Sequence, residues 1–118
     1  MKIITNSVKA LLTASNLHIP CILIGGDYYE QDMCLIGSMA EQNAADLNVD
    51  ISFFTTAAYS EDGVVSDFDE KQLFVRKIML KNSTKNVFLC EKNKIGKKML
   101  HTLCRKEDLT AIITVEDF

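Results

Sequence analysis

The sequence predicts an α/β fold with a mostly parallel, open sheet flanked by helices. Short apolar runs of strand length alternate along the chain with stretches of helical spacing, and most of the connections between them are short. No internal repeat or low-complexity tract interrupts this alternation. With 118 residues, of which 47% are hydrophobic, the chain fits one domain that can bury a core of its own.

In the first half, three short apolar runs predict strands at residues 3–4, 21–24 and 33–36. The segment between the first two runs has helical spacing, and Asn6 or Ser7 suits the N-cap of that helix. A second helix is predicted to start at Ser38, because Ser38 and Glu41 have the spacing of a capping box.

In the second half, apolar runs predict strands at residues 50–58, 87–90 and 109–115. Helical spacing predicts helices at residues 70–81 and 99–103. Asp67 or Asp69 suits the N-cap of the first of these helices, and an acidic group is favourable at its positive end. Residues 60–69, around Gly63, are interpreted as an acidic loop.

Polar or glycine residues follow several of the predicted strands. They are Thr5 and Asn6, the pair Gly25 and Gly26, Thr55 with Thr56, and residues 91–94. We expect these strand ends to converge on one edge of the sheet, and in an open α/β sheet ligands bind outside the carboxyl ends of the strands. Hydroxyls, an amide, exposed backbone N–H groups and a lysine together suit a polyol that carries a phosphate. The glycine pair also fits a plain tight turn, and both interpretations stay open.

Lys94 is the strongest single candidate for a functional residue. It lies in a polar loop between the buried run 87–90 and the predicted helix 99–103, and an ammonium near a helix start favours an anion such as phosphate. The alternative is a solvated cluster of lysines on a surface loop.

The charge and cysteine content of the sequence argue against a nucleic-acid-binding surface and a zinc site. The net charge of −3 gives no bulk electrostatic attraction to nucleic acid, so DNA contact would need another segment. No apolar run is long enough to span a bilayer. The four cysteines are widely spaced without a Cys-x-x-Cys pair, which argues against a zinc site. We therefore expect a reduced, cytoplasmic protein without metal ion, cofactor or membrane contact.

A series of short motifs resembles the sugar-sensing domain of DeoR-type transcriptional repressors over essentially the whole chain. In order they are Thr5-Asn6-Ser7, Ile24-Gly25-Gly26, Ile36-Gly37-Ser38, residues 50–54, Asp62-Gly63, Arg76-Lys77-Ile78-Met79, Asn93-Lys94-Ile95-Gly96 and residues 108–114. The resemblance implies a fold akin to ribose-5-phosphate isomerase and glucosamine-phosphate deaminase. It also implies an effector-binding domain over residues 1–118, whose ligand is a phosphorylated sugar.

The same resemblance implies parts outside this sequence. DNA would be bound by an N-terminal winged helix, and a first strand with a Gly-Ser/Thr-Thr loop would help to hold the phosphate. Neither stands in these residues, so we expect the sensor to continue N-terminally. Repressors of this kind read paired half-sites, which favours a homo-oligomer.

The residues at the strand ends depart from the family pattern in places. Thr55-Thr56-Ala57-Ala58 replaces a Gly-Ala-Asp/Asn-Gly-like step, and Arg76 stands where lysine is usual. Thr5, Asn6, Gly25, Gly26, Thr55 and Lys94 are the ligand-binding candidates. Two alternatives stay open. One is an oligomerisation module without ligand binding. The other is a sugar-phosphate isomerase-like enzyme, although no catalytic residue is identified and Ala57 stands where a carboxylate would be needed.

Overall fold

A computed structural model describes residues 1–116, and the chain divides into two units, Met1–Asp46 and a second that begins at Leu47. Each unit combines parallel strands with helices, which confirms the predicted α/β class. Each unit also contains antiparallel strands, so the sheet is less uniformly parallel than the alternation of elements indicated.

The first unit pairs its strands two by two. Strands β1 (Ile3–Thr5) and β2 (Cys21–Leu23) run parallel, and β3 (Asp27–Tyr29) and β4 (Cys34–Ile36) run antiparallel. The crossover from β1 to β2 is helix α1 (Val8–Asn16), as a parallel pair requires. Ser7 is the N-cap of α1, since its Oγ accepts a hydrogen bond from the amide of Ala10 at 3.2 Å.

Helix α2 (Ser38–Ala45) starts where the sequence predicted, but the capping box is wrong. Its N-cap is Gly37, with φ of 93°, and no side chain caps the helix. A Cβ at position 37 would lie 2.7 Å from a carboxylate oxygen of Asp27. Close packing and a left-handed backbone therefore both require glycine here. The helix packs through Ala40 and Ala44, which are fully buried.

The second unit contains a parallel sheet in the order β10-β8-β5. Its strands are β5 (Val49–Phe54), β8 (Ser83–Glu91) and β10 (Ala111–Val115). Val87, Phe88 and Cys90 of the central strand are buried, which confirms the prediction of a covered strand from its continuous apolar run. Helix α3 (Glu70–Lys81) is also confirmed, with Asp69 as its N-cap.

An antiparallel sheet, β6-β7-β9, completes the second unit and contradicts three sequence predictions. The predicted strand 50–58 ends at Phe54, and Ala58–Tyr59 form β6. The predicted loop 60–69 contains β7 (Val64–Asp67), and the predicted helix 99–103 is β9 (His101–Arg105). Strands β7 and β9 pair with each other, so each is stabilised by a partner distant in sequence that local spacing does not reveal.

The core of the second unit lies where both of its sheets and α3 meet. Its buried members are Val65, Leu73, Phe88, Cys90, Leu103 and Cys104. The ring of Phe88 stacks on Phe54 with a centroid distance of 5.2 Å and meets Tyr59 edge-on at 5.7 Å. In the described part of the chain, no helix is long and apolar enough to cross a membrane.

Candidate functional site

The first group of predicted site residues lies at one edge of the β1–β2 pair. Because these strands are parallel, Thr5 at the end of β1 and Asn6 after it come to the same edge as Gly25 and Gly26 after β2. The amide of Ile24 donates to the carbonyl of Thr5 at 2.8 Å, which continues the pairing to this edge. The structure therefore brings these four candidates together, as predicted.

The polar side chains at this first edge take part in the fold. Oγ1 of Thr5 accepts a hydrogen bond from the amide of Ser7 at 3.1 Å, in a turn that leads into the N-cap of α1. Nδ2 of Asn6 donates to the carbonyl of Leu35 at 3.0 Å, and the amide of Leu35 donates to the carbonyl of Asn6 at 2.8 Å. These hydrogen bonds connect the end of β1 to β4.

The two adjacent glycines have different surroundings. A Cβ on Gly26 would lie 2.6 Å from both the Cβ of Ala40 and the carbonyl oxygen of Ile36. Gly26 is therefore needed for the packing of α2. A Cβ on Gly25 would meet only Nδ2 of Asn43, at 3.7 Å, which is ordinary van der Waals contact. Packing against α2 explains Gly26 without a ligand, neither of the two glycines has a positive φ, and the packing does not require glycine at position 25.

The second group of predicted site residues lies at the carboxyl edge of the β5–β8 pair. Phe54 pairs with Phe88, so Thr55 directly after β5 and the turn that carries Lys94 after β8 come to the same edge. Lys94 is half-buried. Among residues 1–116, its ammonium has no hydrogen bond or ion pair, and the hydroxyl of Thr55 has no hydrogen bond either.

Two lysines close to Lys94 do have partners. The Nζ of Lys92 lies 2.8 Å from a carboxylate oxygen of Glu116, and the Nζ of Lys98 lies 2.8 Å from one of Asp62. Both of these pairs are largely exposed to solvent. The loop thus contains two exposed ion pairs and one half-buried lysine without a partner in residues 1–116, and the alternative of a solvated lysine cluster stays open.

The backbone around Lys94 is held in place by several contacts. Lys92–Lys94 form a single 3-10 turn, and the amide of Gly96 donates to the carbonyl of Tyr59 at 2.7 Å. The amide of Met99 donates to Oγ of Ser66 at 2.8 Å. Since the following element is strand β9, the prediction that Lys94 precedes a helix is wrong. Any attraction of Lys94 for an anion therefore comes from its own charge.

The carboxylate of Asp62 is stabilised in its charged form. Hydrogen bonds from Lys98 and then from the hydroxyl of Ser60 lower its pKa from 3.8 to about 2. Lys98 is therefore paired with Asp62. This ion pair connects the end of the lysine loop (residues 92–98) to the turn between β6 and β7.

A network of Arg76 and Asp67 contacts the backbone at Thr55 and was not predicted from the sequence. Nη1 of Arg76, on α3, donates to the carbonyl of Thr55 at 3.1 Å and lies 3.7 Å from a carboxylate oxygen of Asp67. That same oxygen accepts a hydrogen bond from the amide of Ala57 at 3.3 Å. Asp67 had been considered only as a possible helix cap, and nothing in the local sequence indicates that it contacts the segment after β5.

The cysteines and histidines show no arrangement that suggests chemistry. All four cysteines are reduced thiols, and burial raises the pKa of Cys104 to about 12, with a further contribution from the carboxylate of Asp108. Burial also raises the pKa of Cys90. In residues 1–116 there is no cluster of three His, Cys, Asp or Glu side chains placed to hold a metal ion.

Two surface cavities lie in the second unit, and neither is lined by a predicted site residue. One, of about 320 Å³, lies at the amino ends of β5 and β8, at the end of the sheet opposite to Thr55. The other, of about 240 Å³, lies between α3 and β9.

Comparisons of the chain with protein families and with known proteins agree with each other. Residues 1–116 match the family described as the DeoR C terminal sensor domain. The chain is 26% identical over 115 residues to the uncharacterized HTH-type transcriptional regulator YulB of Bacillus subtilis, covering 97% of this chain and 45% of that protein.

Two further relatives are also regulators. The chain is 26% identical over 117 residues to the lactose phosphotransferase system repressor of Staphylococcus epidermidis, covering 97% of this chain and 46% of the repressor. It is 28% identical over 89 residues to an HTH-type transcriptional regulator of Haemophilus influenzae, covering 75% and 34% respectively. The chain thus spans about half the length, or less, of these relatives.

Proposed function

The chain belongs to the family of DeoR C-terminal sensor domains, and on that premise we propose that it binds a phosphorylated sugar and so modulates the DNA binding of a transcriptional repressor. A sensor domain of regulators points to a non-enzyme. The phosphorylated sugar, the DNA-binding winged helix outside this chain and the cytoplasmic location are parts of the proposal.

The observation that carries this proposal is the state of Lys94. Lys94 is half-buried as a residue and its ammonium has no partner among residues 1–116, whereas Lys92 and Lys98 are paired, which leaves a positive charge available to an anion. Charge-assisted contacts to phosphate are among the stronger polar interactions in proteins. Lys94 also lies at the carboxyl edge of parallel strands, where open α/β sheets bind ligands.

Thr55 supports a sugar as the part that carries the phosphate. Its hydroxyl lacks a hydrogen-bond partner among residues 1–116 and follows the strand adjacent to β8. A hydroxyl can both donate to and accept from a sugar hydroxyl. The match to a lactose phosphotransferase system repressor further supports a ligand from carbohydrate metabolism.

The first unit contributes fewer available groups to this proposal. Thr5, Asn6 and Gly26 have the structural contacts described above. Gly25 keeps an uncrowded backbone, which suits close approach of a ligand. We retain all four as candidates, and the proposed contact with phosphate rests on Lys94.

A thermal-shift screen tests the proposal. The full-length protein that contains this chain is heated with pairs of phosphorylated and unphosphorylated sugars. A sugar phosphate at a hundredfold excess over its dissociation constant should stabilise the protein by about 2.7 kcal/mol, a shift of roughly 10 °C, while its unphosphorylated partner should not. Operator DNA binding should change with the same ligand. If no sugar phosphate shifts the melting temperature, the proposal is wrong.

Self-association is the second part of the proposal. Regulators that read paired half-sites are generally symmetric dimers or multiples of dimers. Because Thr5 and Asn6 serve the fold, an oligomerisation module that has lost its ligand is the competing function. Sedimentation with and without sugar phosphates separates the two. An oligomer that responds to none of them, by mass or by melting temperature, favours the competing function.

A further inference from the structure

Arg76 and Asp67 together hold the segment that follows β5. The segment of residues 55–58 joins two strands of different sheets, and two of its backbone groups bond to this pair of side chains. The carbonyl of Thr55 accepts from Nη1 of Arg76 at 3.1 Å, and the amide of Ala57 donates to Oδ2 of Asp67 at 3.3 Å. The same guanidinium nitrogen lies 3.7 Å from Oδ2 of Asp67, so these contacts form one network.

Each member of this network is itself fixed. Nη2 of Arg76 donates to Oε1 of Gln72, one turn earlier on α3, at 2.8 Å. The other carboxylate oxygen of Asp67 accepts from the amide of Phe68 at 2.8 Å. The side chains of Arg76 and Asp67 are only 30% and 15% exposed. Since partial burial strengthens charged hydrogen bonds, the network is well placed to hold the backbone of residues 55–58.

We propose that Arg76 and Asp67 are positioning residues for effector binding, which fix the backbone so that the Thr55 hydroxyl is presented to a sugar. This inference rests on the proposed function, in which Thr55 contacts the sugar and Lys94 the phosphate. Arg76 contacts the carbonyl of Thr55 and leaves its hydroxyl available.

The lysine loop is held by different contacts, which makes the inference testable. Its backbone bonds to Tyr59 and Ser66, and Lys98 pairs with Asp62. None of these contacts includes Arg76 or Asp67. Loss of Arg76 should therefore weaken the recognition of the sugar and leave the recognition of phosphate in place.

The test compares two ligands in the full-length protein. Dissociation constants are measured by NMR titration for inorganic phosphate and for the sugar phosphate that gives the largest thermal shift. Arg76→Gln should raise the dissociation constant of the sugar phosphate about tenfold, as expected for the loss of one charged hydrogen bond. The dissociation constant of inorganic phosphate should stay within about twofold of the wild-type value. Arg76→Lys, which keeps the charge, should recover part of the loss. Lys77→Gln, the same charge change on an exposed neighbour in α3, should alter neither constant.

Each alternative role gives a different result. If Arg76→Gln weakens the binding of both ligands equally, Arg76 contacts the phosphate directly. If it weakens the binding of neither, Arg76 has no role in binding. Both results overturn the inference. If Arg76→Gln does not fold, Asp67→Asn replaces it. Asp67→Asn removes one of the two carboxylate acceptors, and it should likewise weaken the binding of the sugar phosphate more than that of inorganic phosphate.

A measurement without ligand separates this inference from the proposed function. The amide hydrogen of Ala57, which bonds to Asp67, should exchange with solvent at least several-fold faster in Arg76→Gln, while amides in β8 keep their rates. Unchanged exchange at Ala57 would overturn the anchoring itself. If the wild type binds no sugar phosphate, the proposed function and the positioning role fall together, whatever the exchange rates show.

Discussion

The edge after β1 and the edge after β5 and β8 look alike in sequence and differ in structure. Both place a threonine and another polar side chain at the ends of parallel strands or within three residues of them. At the first edge, Oγ1 of Thr5 and Nδ2 of Asn6 bond to backbone groups of the same unit. At the second, the hydroxyl of Thr55 and the ammonium of Lys94 have no such partner in residues 1–116.

This difference shows how a structural polar residue can be distinguished from a candidate ligand-binding residue. Hydrogen-bonded side chains at a strand end stabilise the fold, and changing them should lower stability first. Side chains without partners contribute little to stability, and changing them should lower binding first. The following predictions test whether the two edges divide in this way.

The largest effect is expected from the two glycines. Gly26→Ala places a Cβ 2.6 Å from Ala40 and from the carbonyl of Ile36, which should lower the free energy of unfolding by about 3 kcal/mol. Gly25→Ala is the matched control, with its nearest contact at 3.7 Å, and should change stability by less than about 1 kcal/mol. Urea denaturation measures both. Equal stabilities for the two variants would contradict the packing role of Gly26.

An intermediate effect is expected from a pair of asparagines, one in each region. Asn6→Ala removes the hydrogen bond to Leu35 and should cost about 1 kcal/mol of stability. Asn93→Ala, next to Lys94 and exposed, should stay within about 0.5 kcal/mol of the wild type. Chemical denaturation again gives the comparison. A larger loss for Asn93→Ala than for Asn6→Ala would reverse the assignment of the two edges.

The smallest effect is expected from the ion pair that holds the lysine loop. The pKa of Asp62 is lowered from 3.8 to about 2, so its contribution to stability is present above pH 3.8 and is lost as the pH falls through about 2. NMR titration of this carboxyl group should give a midpoint near 2, and Lys98→Gln should raise it toward 3.8. An unchanged midpoint in Lys98→Gln would show that Lys98 does not form this ion pair in solution.

The sequence was sufficient for elements that depend on local pattern. The buried run in β8 and the helix Glu70–Lys81 follow from residues close together in the chain, and the N-caps Ser7 and Asp69 were each one of two candidates. Strands β7 and β9 were missed together, since each depends on the other across the fold. Leu100, which suggested a helical face, is 82% exposed and belongs to no buried stripe.

The sequence indicated where the candidate side chains would lie, but it only partly indicated whether each one stabilises the fold or is free to bind a ligand. The predicted convergence of all these strand ends on one sheet edge holds only within each pair, β1 with β2 and β5 with β8, because the two pairs belong to separate sheets. Whether such a side chain bonds to the protein depends on distant backbone groups, as with Asn6 and Leu35. The network of Arg76 and Asp67 likewise joins α3, β7 and the segment after β5, which no local spacing connects.

Calorimetric titration of a sugar phosphate into two lysine variants tests the central claim most directly. Lys94→Gln should weaken binding by about 10- to 100-fold, the loss of one charged contact, without lowering the melting temperature of the ligand-free protein. Lys97→Gln, the same change at an exposed lysine of the same loop, should bind like the wild type. Equal affinities for the wild type, Lys94→Gln and Lys97→Gln would show that the unpaired ammonium does not bind the phosphate.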